Sequence, residues 1–386
     1  MKSLQLVVNE AMAWLKQTPV SASAYSQARY KLKHSAFVEL NQSAVVDVMY
    51  GDGDYQTFWG FRILAVDGSK IVLPDHPSMR EAFGTIAWTN GKTDQIQGER
   101  PYALASVLYD VLNRIALDAT LAPAKAYEID LAIGQLAQTR RGDLLVMDRN
   151  YPSYRMLAEL TRQDRDFVIR CSAASFAQAR RMLNGEGPNS QQVTLKPCAG
   201  QQAQIRKQQL PRTLNVRLVR VPLSSGEHEV LVTSLLDGDR YPSADFLALY
   251  GLRWGIENFY GVLKTRLALE NFTGIGVEAI LQDFYATVYL TGLETLLTAD
   301  AQTQLDAKTT RHPQTVNRAV SFNAIKTQAL DLLLGEPQET EVLLDTLTAL
   351  FLTNPCLDRP HRSPPRKNTP TRALLSFHKR QKKQCF

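Results

Sequence analysis

The chain has 386 residues and a mass of 43.2 kDa, more than one compact core usually holds, so we expect two or more substructures. A hydrophobic fraction of 44% and a charged fraction of 21% exclude a disordered, collagenous or fibrous protein. The net charge of +6 is uneven, because residues 359–386 carry nine Lys or Arg and no Asp or Glu, which leaves −3 on the other 358 residues. A cationic tail on a near-neutral body attracts polyanions such as nucleic acid, although a solvated tail explains the charge equally well.

Several other classes of protein are disfavoured by the sequence. No stretch reaches the ~18 uninterrupted apolar residues of a membrane-spanning helix, and the N-terminus lacks the basic and apolar pattern of a secretory signal. The four cysteines contain no C-x-x-C pair, which excludes a zinc ribbon or a disulfide scaffold and favours a reducing cytoplasm. They are Cys171, Cys198, Cys356 and Cys385.

The first half of the chain begins with helices and continues with strands. Residues 1–55 have apolar positions at helical spacing and a cationic patch at 28–34, so we predict a helical, DNA-binding region. Short apolar runs at 61–66 and 70–73 flank Asp67-Gly68-Ser69, which predicts a strand–turn–strand. Residues 102–108 and 111–117 then predict one long strand or two short ones.

The second half alternates between the two kinds of element. A helix at 124–139 and a buried strand at 143–147 complete a β-β-β-α-β order, and a β-rich insertion with a hairpin near 224–226 follows. Helices then continue to about residue 352, before a Pro-rich run and the basic tail. The predicted segments are 1–55 (helical), 56–166 (first part of the core), 167–240 (β-rich insertion), 241–300 (core helices), 301–358 (C-terminal helices) and 359–386 (basic tail).

One predicted helix carries a line of polar side chains. At ~100° per residue, Tyr250, Arg253, Glu257 and Lys264 fall within roughly a 60° arc, along about 20 Å of helix. An exposed face with an Arg253–Glu257 ion pair, worth only a few tenths of a kcal/mol, is the simpler explanation when the line is considered alone. Trp254 lies beside the line, where we expect it to pack in the core rather than to stack on an unpaired base.

Two aspartates add a second set of candidate residues. Asp67 and Asp148 each directly follow a short apolar run that predicts a buried strand. If the two strands are neighbours, both side chains reach one crevice, and Glu257 on an overlying helix completes a cluster of three carboxylates. Hard divalent cations compensate such clustered charge, and two of them activate a water or a 3′-hydroxyl at a phosphodiester. Either aspartate alone is more commonly a turn residue.

These residues together resemble a known family. The spacing Tyr250-x2-Arg253-x3-Glu257-x6-Lys264 is similar to the Y-R-E-K signature of the DDE transposases of bacterial insertion sequences, in the insertion-sequence four family. Segments 66–69 and 147–151 resemble the family's two Asp blocks, and the likeness extends from 27–32 to at least Phe272. Asn150 stands where Gly is more usual, and because Asn tolerates a left-handed backbone we expect the turn to be kept.

The resemblance implies a fold and a chemistry. The fold is α/β: a ribonuclease-H-like catalytic core with a β-rich insertion, plus an N-terminal helical DNA-binding region and a helical C-terminal region with a basic tail. Asp67, Asp148 and Glu257 would be catalytic ligands of Mg²⁺ or Mn²⁺. The side chains that would contact DNA phosphates are Tyr250, Arg253 and Lys264.

The implied function is cut-and-paste DNA transposition by metal-dependent hydrolysis and strand transfer. The partners would be inverted-repeat DNA at the transposon ends and target DNA, with a homodimer in the complex, located on the nucleoid of the bacterial cytoplasm and not at a membrane. Two alternatives remain open: a related nuclease that never joins ends, and an inactive DNA-binding relic. The sequence contains no P-loop, G-x-S-x-G or dinucleotide fingerprint, so ATP use, serine hydrolysis and dinucleotide chemistry have no support.

Overall fold

A computed structural model describes residues 3–89, 96–223 and 226–359 of the chain. The chain divides into two compact units. The helical unit falls within Met1–Val45, Leu263–Gly274 and Glu278–Phe386, and the sheet unit comprises Val46–Val262 and Ile275–Val277. The border between Val262 and Leu263 lies inside the predicted segment 241–300. The predicted basic tail lies outside the described residues, except for Arg359.

The described residues contain fifteen α-helices. They are α1 (Leu4–Trp14), α2 (Ala22–Arg29), α3 (Ser35–Asn41), α4 (Asp47–Gly51), α5 (Pro77–Phe83), α6 (Glu128–Gln135), α7 (Tyr154–Arg162), α8 (Ala177–Leu183), α9 (Gln202–Lys207), α10 (Phe246–Gly251), α11 (Trp254–Gly261), α12 (Val277–Asp306), α13 (Arg318–Thr327), α14 (Ala329–Leu334) and α15 (Pro337–Thr353). Although α12 has 30 residues, none of these helices combines enough length and apolar character to cross a membrane.

Eleven strands lie in the same described ranges, and nine of them form one sheet. They are β1 (Arg62–Val72), β2 (Thr85–Thr89), β3 (Ile96–Asp110), β4 (Ile115–Pro123), β5 (Asp143–Met147), β6 (Asp166–Cys171), β7 (Ser190–Leu195), β8 (Leu214–Pro222), β9 (His228–Thr233), β10 (Gln314–Thr315) and β11 (Cys356–Leu357). The sheet runs in the order β2-β3-β1-β5-β6-β9-β8-β7, with β4 also paired to β3. Strands β1, β5 and β6 are parallel neighbours, whereas all other pairs in the sheet are antiparallel.

The first predicted strand–turn–strand is wrong, because β1 is a single continuous strand. Asp67, Gly68 and Ser69 stay extended, since each is a register partner of a β3 residue, and the pairing runs without a break from Leu64 to Val72. The long neighbouring strand satisfies the backbone there, so the turn propensity of the Asp-Gly-Ser sequence is overridden by the tertiary structure.

The second predicted region resolves into two strands, β3 and β4. The turn between them begins at Asp110, whose Oδ1 accepts hydrogen bonds from the backbone N–H groups of Leu112 (3.0 Å) and Asn113 (2.9 Å). Arg114 completes the turn with a positive φ of 56°. Residues 111–114 therefore do not belong to a strand, and a side-chain carboxylate that replaces backbone pairing explains why.

The predicted β-rich insertion is part of the central sheet. Strands β7, β8 and β9 are antiparallel to one another, and β9 pairs with β6, so the insertion extends the sheet beyond the parallel strands. The predicted strand 143–147 is confirmed as β5, and all five of its residues are buried. Buried parallel strands carry apolar side chains on both faces, which is the pattern of residues 144–147.

The helix predicted from Ser243 onward is interrupted. Helix α10 ends at Gly251, α11 ends at Gly261, and a π-helix follows at Val262–Arg266. Glycine is a poor helix former, and each break comes at or just after a glycine. The arc calculated for one regular helix therefore does not extend to Lys264.

In the helical unit, the C-terminal helices enclose a small core. Its buried members come from α12, from the residue that follows β10, and from α13 and α15, and are Ala301, Leu305, Val316, Ala324, Leu347 and Phe351. Glu294 is 1% exposed on α12, where its carboxylate accepts hydrogen bonds from Arg318 Nη2 (2.9 Å) and Ser321 Oγ (2.6 Å). In this way a buried charge is paired and fully hydrogen-bonded.

Candidate active site

The register of the parallel strands makes Asp67 and Asp148 neighbours. Strand β1 pairs with β5 up to Val66 and Met147, and the next residue of the chain is an aspartate in both cases, Asp67 within β1 and Asp148 directly after β5. Adjacent strands lie about 4.8 Å apart, so the two aspartates come side by side where β5 ends. Both are half-buried, and Asp67 lies within β1 rather than at its end.

Helix α11 is held against this pair by a buried tyrosine. The Tyr260 hydroxyl lies 2.9 Å from the backbone oxygen of Asp67 and 3.2 Å from that of Ala105, on β1 and β3. At the other end of the helix, a Cβ added to Gly255 would lie 3.1 Å from Val111 Cβ, so the small residue permits close packing. Glu257, one turn before Tyr260, is thereby brought over the strand that carries Asp67.

The electrostatics of Asp67 show that negative charge is gathered at this point. Burial, together with the neighbouring Asp148 and Glu257 carboxylates, raises the pKa of Asp67 to about 7. The Gly68 N–H, 2.9 Å from its Oδ1, and the Arg253 guanidinium act in the opposite direction. Asp67, Asp148, Arg253 and Glu257 thus form one electrostatically coupled group.

Only some of the hydrogen-bond donors of the arginine and tyrosine side chains near these carboxylates have an acceptor among the described residues. Arg253 is 5% exposed, and its Nη2 donates to Glu257 Oε1 at 2.9 Å. The buried Arg253 Nε, Tyr250 hydroxyl and Tyr151 hydroxyl have no hydrogen-bond partner within the described residues. Buried polar atoms are nearly always paired, so three orphaned donors beside a carboxylate group indicate room for a ligand's acceptors.

The sequence matches the model of a known protein family. The model of the transposase DDE domain matches residues 59–290, a span that contains Asp67, Asp148 and Glu257. This span is more than half of the chain. The chain belongs to the DDE transposase family.

The chain is also similar to a curated transposase. The chain is 26% identical over 259 residues to transposase InsG for insertion sequence element IS4 of Escherichia coli (strain K12). That match covers 66% of this chain and 55% of the relative, so the chain matches little more than half of the relative's length.

Among solved structures, the chain is similar to the piggyBac transposase synaptic complex with hairpin DNA, with a TM-score of 0.42 and 9% identity. That match covers 81% of this chain and 61% of the other.

A divalent metal ion is general in the DDE family, and the donors in this group suit one. Carboxylate oxygens are the ligands that hard divalent cations prefer, and a cation relieves the repulsion that raises the pKa of Asp67. Among the described residues, however, no three His, Cys, Asp or Glu side chains are arranged to hold a metal ion together. In this conformation Glu257 is engaged by Arg253 instead.

A further carboxylate, Glu128, lies beside this group, and the sequence does not predict it. Glu128, at the start of α6, lies so close to β1 that a Cβ added to Gly68 would be 2.9 Å from its Cδ. Burial and then the charge of Asp148 raise the pKa of Glu128, whereas Lys70 lowers it. Nothing in the sequence distinguishes Glu128 from an ordinary acidic residue in the first turn of a helix.

Three other expectations about the site are answered by the structure. Asn150 does not adopt a left-handed backbone; its N–H donates to Asp148 Oδ1 at 2.8 Å, and this bond forms the turn. Trp254 is 46% exposed rather than packed in the core, with Arg253 Cζ 4.9 Å from its ring centroid. Lys264 lies in the π-helix, beyond the end of α11.

Proposed function

We propose that this chain carries out cut-and-paste DNA transposition, by divalent-metal-dependent hydrolysis and strand transfer at inverted-repeat ends. The observation that carries the proposal is the adjacent placement of Asp67 and Asp148, coupled electrostatically to Glu257, in a chain of the DDE family. A like-charged group is unfavourable in a folded protein without a compensating role.

We also propose that β1 and β3–β6 are the centre of a ribonuclease-H-like core, interrupted by the insertion before its last helix. The strand order supports this: three antiparallel strands, a helix and a parallel strand precede the β7–β9 extension, and α11 with Glu257 comes afterwards. The three carboxylates would then reach one place from three distant parts of the chain.

The roles of the side chains follow from their chemistry. Asp67, Asp148 and Glu257 would hold Mg²⁺ or Mn²⁺. Such ions activate a water or a 3′-hydroxyl and stabilise the leaving oxygen of a phosphodiester. Carboxylates are acceptors only, so binding the DNA strand needs other groups.

Donors beside the carboxylates would bind the terminal phosphates. Arg253 presents a planar fork with an unused Nε, and Tyr250 a buried hydroxyl without a partner among the described residues. Both would donate to non-bridging phosphate oxygens. Lys264 is proposed as a further phosphate contact, a point charge, on the strength of the family resemblance alone.

The proposed partners are the two inverted-repeat ends of a transposon and a target DNA, on the bacterial nucleoid. Because a transposon has two ends, each of which needs a complete set of carboxylates, we propose that a homodimer forms in the DNA complex.

The deciding experiment offers the purified protein a pre-cleaved end and a supercoiled target plasmid with Mg²⁺ or Mn²⁺. Transposition predicts covalent joining of the end to the plasmid. Nicking without joining would support the alternative of a nuclease. A protein that binds the DNA tightly but cleaves it at no concentration of Mg²⁺ or Mn²⁺ would be an inactive relic, and the proposal would be wrong.

Glu257→Gln and Glu81→Gln provide matched variants for this assay. Both remove one carboxylate from a helix of the sheet unit, but Glu81 is exposed on α5 and belongs to no part of the proposed site. We expect joining to disappear in the first variant and to persist in the second.

A further inference from the structure

The second half of the sheet carries an unusual charge distribution. From Gly187 to Gly226 the chain contains six Lys or Arg and no Asp or Glu, although the body of the chain as a whole is close to neutral. The six are Lys196, Arg206, Lys207, Arg212, Arg217 and Arg220. An acid-free run of this length creates a positive potential on one part of the molecule.

Two of these cations serve the fold. Arg217 is 3% exposed and donates to the Tyr241 backbone oxygen and the Ser243 hydroxyl, each at 2.7 Å. Arg220 donates to Asn189 Oδ1 at 2.6 Å from Nη2. Their donors are used within the protein, so they are not available to a partner.

Three other cations surround a cleft in the connection between β7 and β8. The cleft has a volume of about 340 Å³, and its lining residues are Lys196, Pro197, Gln202, Ile205, Arg206 and Arg212. Ile205 is buried and forms its floor, whereas the three cations are exposed.

The charged groups of this cleft have no partner among the residues that the structure describes. Within the described residues, no hydrogen bond or ion pair engages the side chains of Lys196, Arg206 or Arg212. Three like charges around one cleft repel one another, and an anion there removes that repulsion. The two Arg side chains match the geometry of phosphate oxygens, and the Gln202 amide adds an uncharged donor.

We propose that this cleft is a separate DNA contact, which takes a backbone phosphate of the duplex that the protein processes. The inference rests on the proposed function for the identity of the duplex. A backbone phosphate fits better than a free nucleotide, because the lining has no aromatic ring to stack on a base and no acidic group to bind base amines or a ribose.

The sheet registers place the cleft far from the carboxylates. Leu195 pairs with Leu214 at the end of the strands opposite to Asp148. Three strand spacings separate β5 from β8. With about 4.8 Å between strands and about 3.3 Å per residue along them, the separation is roughly 25 Å. At ~3.4 Å per base pair, one duplex reaches both places if it extends about seven base pairs beyond the reacting phosphate.

The first test compares two variants that lose the same charge. The triple variant K196Q/R206Q/R212Q removes the cleft cations, and R180Q/R181Q/K207Q removes three exposed cations of the same region that do not line the cleft. Binding of a linear duplex is measured by fluorescence anisotropy in EDTA across a salt series. Circular dichroism shows whether each variant is folded.

We expect the cleft variant to bind about tenfold more weakly or worse at low salt, because charge-assisted hydrogen bonds are lost. The plot of log affinity against log salt should become less steep, by about one in the magnitude of its slope for each phosphate contact that is lost. An equal loss in the control variant, or an unchanged slope in the cleft variant, overturns the proposal.

A second test uses the wild-type chain and does not depend on how a variant folds. Cys198 is an exposed thiol two residues after Lys196, and Cys356 is an exposed thiol in the helical unit. We expect duplex DNA to slow maleimide modification of Cys198 more than that of Cys356, as followed by peptide mass spectrometry. Equal rates of Cys198 modification with and without DNA overturn the proposal.

The outcomes separate this inference from the proposed function. Both tests are made without metal, so a protein that binds through the cleft but never joins DNA refutes transposition alone. A protein that joins DNA normally, and whose cleft variant keeps its affinity and salt slope, refutes the cleft alone.

Discussion

The two ends of one strand pair, β1 and β5, are built on opposite principles. At the start of both strands, Arg62 and Asp143 are register partners and form a bidentate ion pair with two distances of 2.7 Å. At the end of β5, Asp67 and Asp148 carry like charges side by side. The ion pair of Arg62 and Asp143 favours folding, whereas the like charges of Asp67 and Asp148, five residues further along, oppose it.

The two ends also differ in how completely their polar atoms are used. The Asp143 carboxylate also accepts the Arg140 N–H at 2.7 Å, and the Arg62 guanidinium lies 4.5 Å from the ring of Tyr50. At the other end, the hydroxyls of Tyr151 and Tyr250 lack partners among the described residues. Along this strand pair, the saturated end serves as scaffold, whereas the unsaturated end keeps donors available to a ligand.

The largest expected effect is on activity at the unsaturated end. Asp148→Asn removes one charge but keeps an oxygen for the Asn150 N–H, so the turn should survive. We expect DNA cleavage to fall about a thousandfold or more, because a metal ligand contributes several kcal/mol to catalysis. Stability should stay within about 0.5 kcal/mol of the wild type or rise. Cleavage at the wild-type rate in a gel assay would remove Asp148 from the site.

The matching change at the saturated end should act on folding. Asp143→Asn leaves Arg62 buried at 5% exposure without its counter-charge, and we expect a loss of about 3–5 kcal/mol in the free energy of unfolding. Urea denaturation measures it, with exposed Asp54→Asn as the control. A loss below about 1 kcal/mol would show that the pair does not stabilise the strands.

The pH dependence of stability should distinguish Asp67 from ordinary carboxylates. Its pKa of about 7 in the folded state exceeds the usual value near 3.9, so the native state retains a proton, and the stability tied to that proton is lost as the pH rises from about 4 through about 7. Asp67→Asn cannot ionise. In EDTA it should match the wild type near pH 4 and be more stable by about 4 kcal/mol near pH 8, because each unit of pKa difference corresponds to about 1.4 kcal/mol. Parallel curves at all pH values would contradict the raised pKa.

The smallest expected effect concerns a single hydroxyl. Tyr250→Phe removes a buried oxygen that has no partner among the described residues, so stability should change by less than about 0.5 kcal/mol. If the hydroxyl binds a terminal phosphate, cleavage should fall about tenfold. Tyr154→Phe is the control, because that hydroxyl already lies 2.9 Å from the Pro211 backbone oxygen. Unchanged cleavage in Tyr250→Phe would remove it from the phosphate site.

Much of the fold was predictable from local patterns. Strand β5 is a continuous apolar run, and the period-two segments that form β8 and β9 pair antiparallel, so these strands follow the sequence closely, whereas the predicted turn at 224–226 lies largely outside the described residues. The predictions failed where tertiary pairing prevailed over local propensity, as at Asp67-Gly68-Ser69, which β3 holds extended. The extension of the central sheet by β7–β9 depends on the pairing of β9 with β6, which no local signal encodes.

The candidate site was predictable only in part, for a related reason. Spacing and strand context selected Asp67, Asp148 and Glu257, because each has an unusual neighbourhood in the sequence. Glu128 has none, since its proximity to Gly68 arises only when α6 packs on β1. The orphaned donors are equally invisible in a sequence, because saturation of a hydrogen bond depends on the folded surroundings.

The position of β9 between β6 and β8 has a consequence for the growing polypeptide. Val168 pairs with Thr233, so β6 has no neighbour on that side until more than sixty further residues have left the ribosome. A buried apolar strand is therefore an open edge during synthesis, and such edges invite wrong partners. Translation that pauses before residue 233 should leave the nascent chain most prone to aggregate.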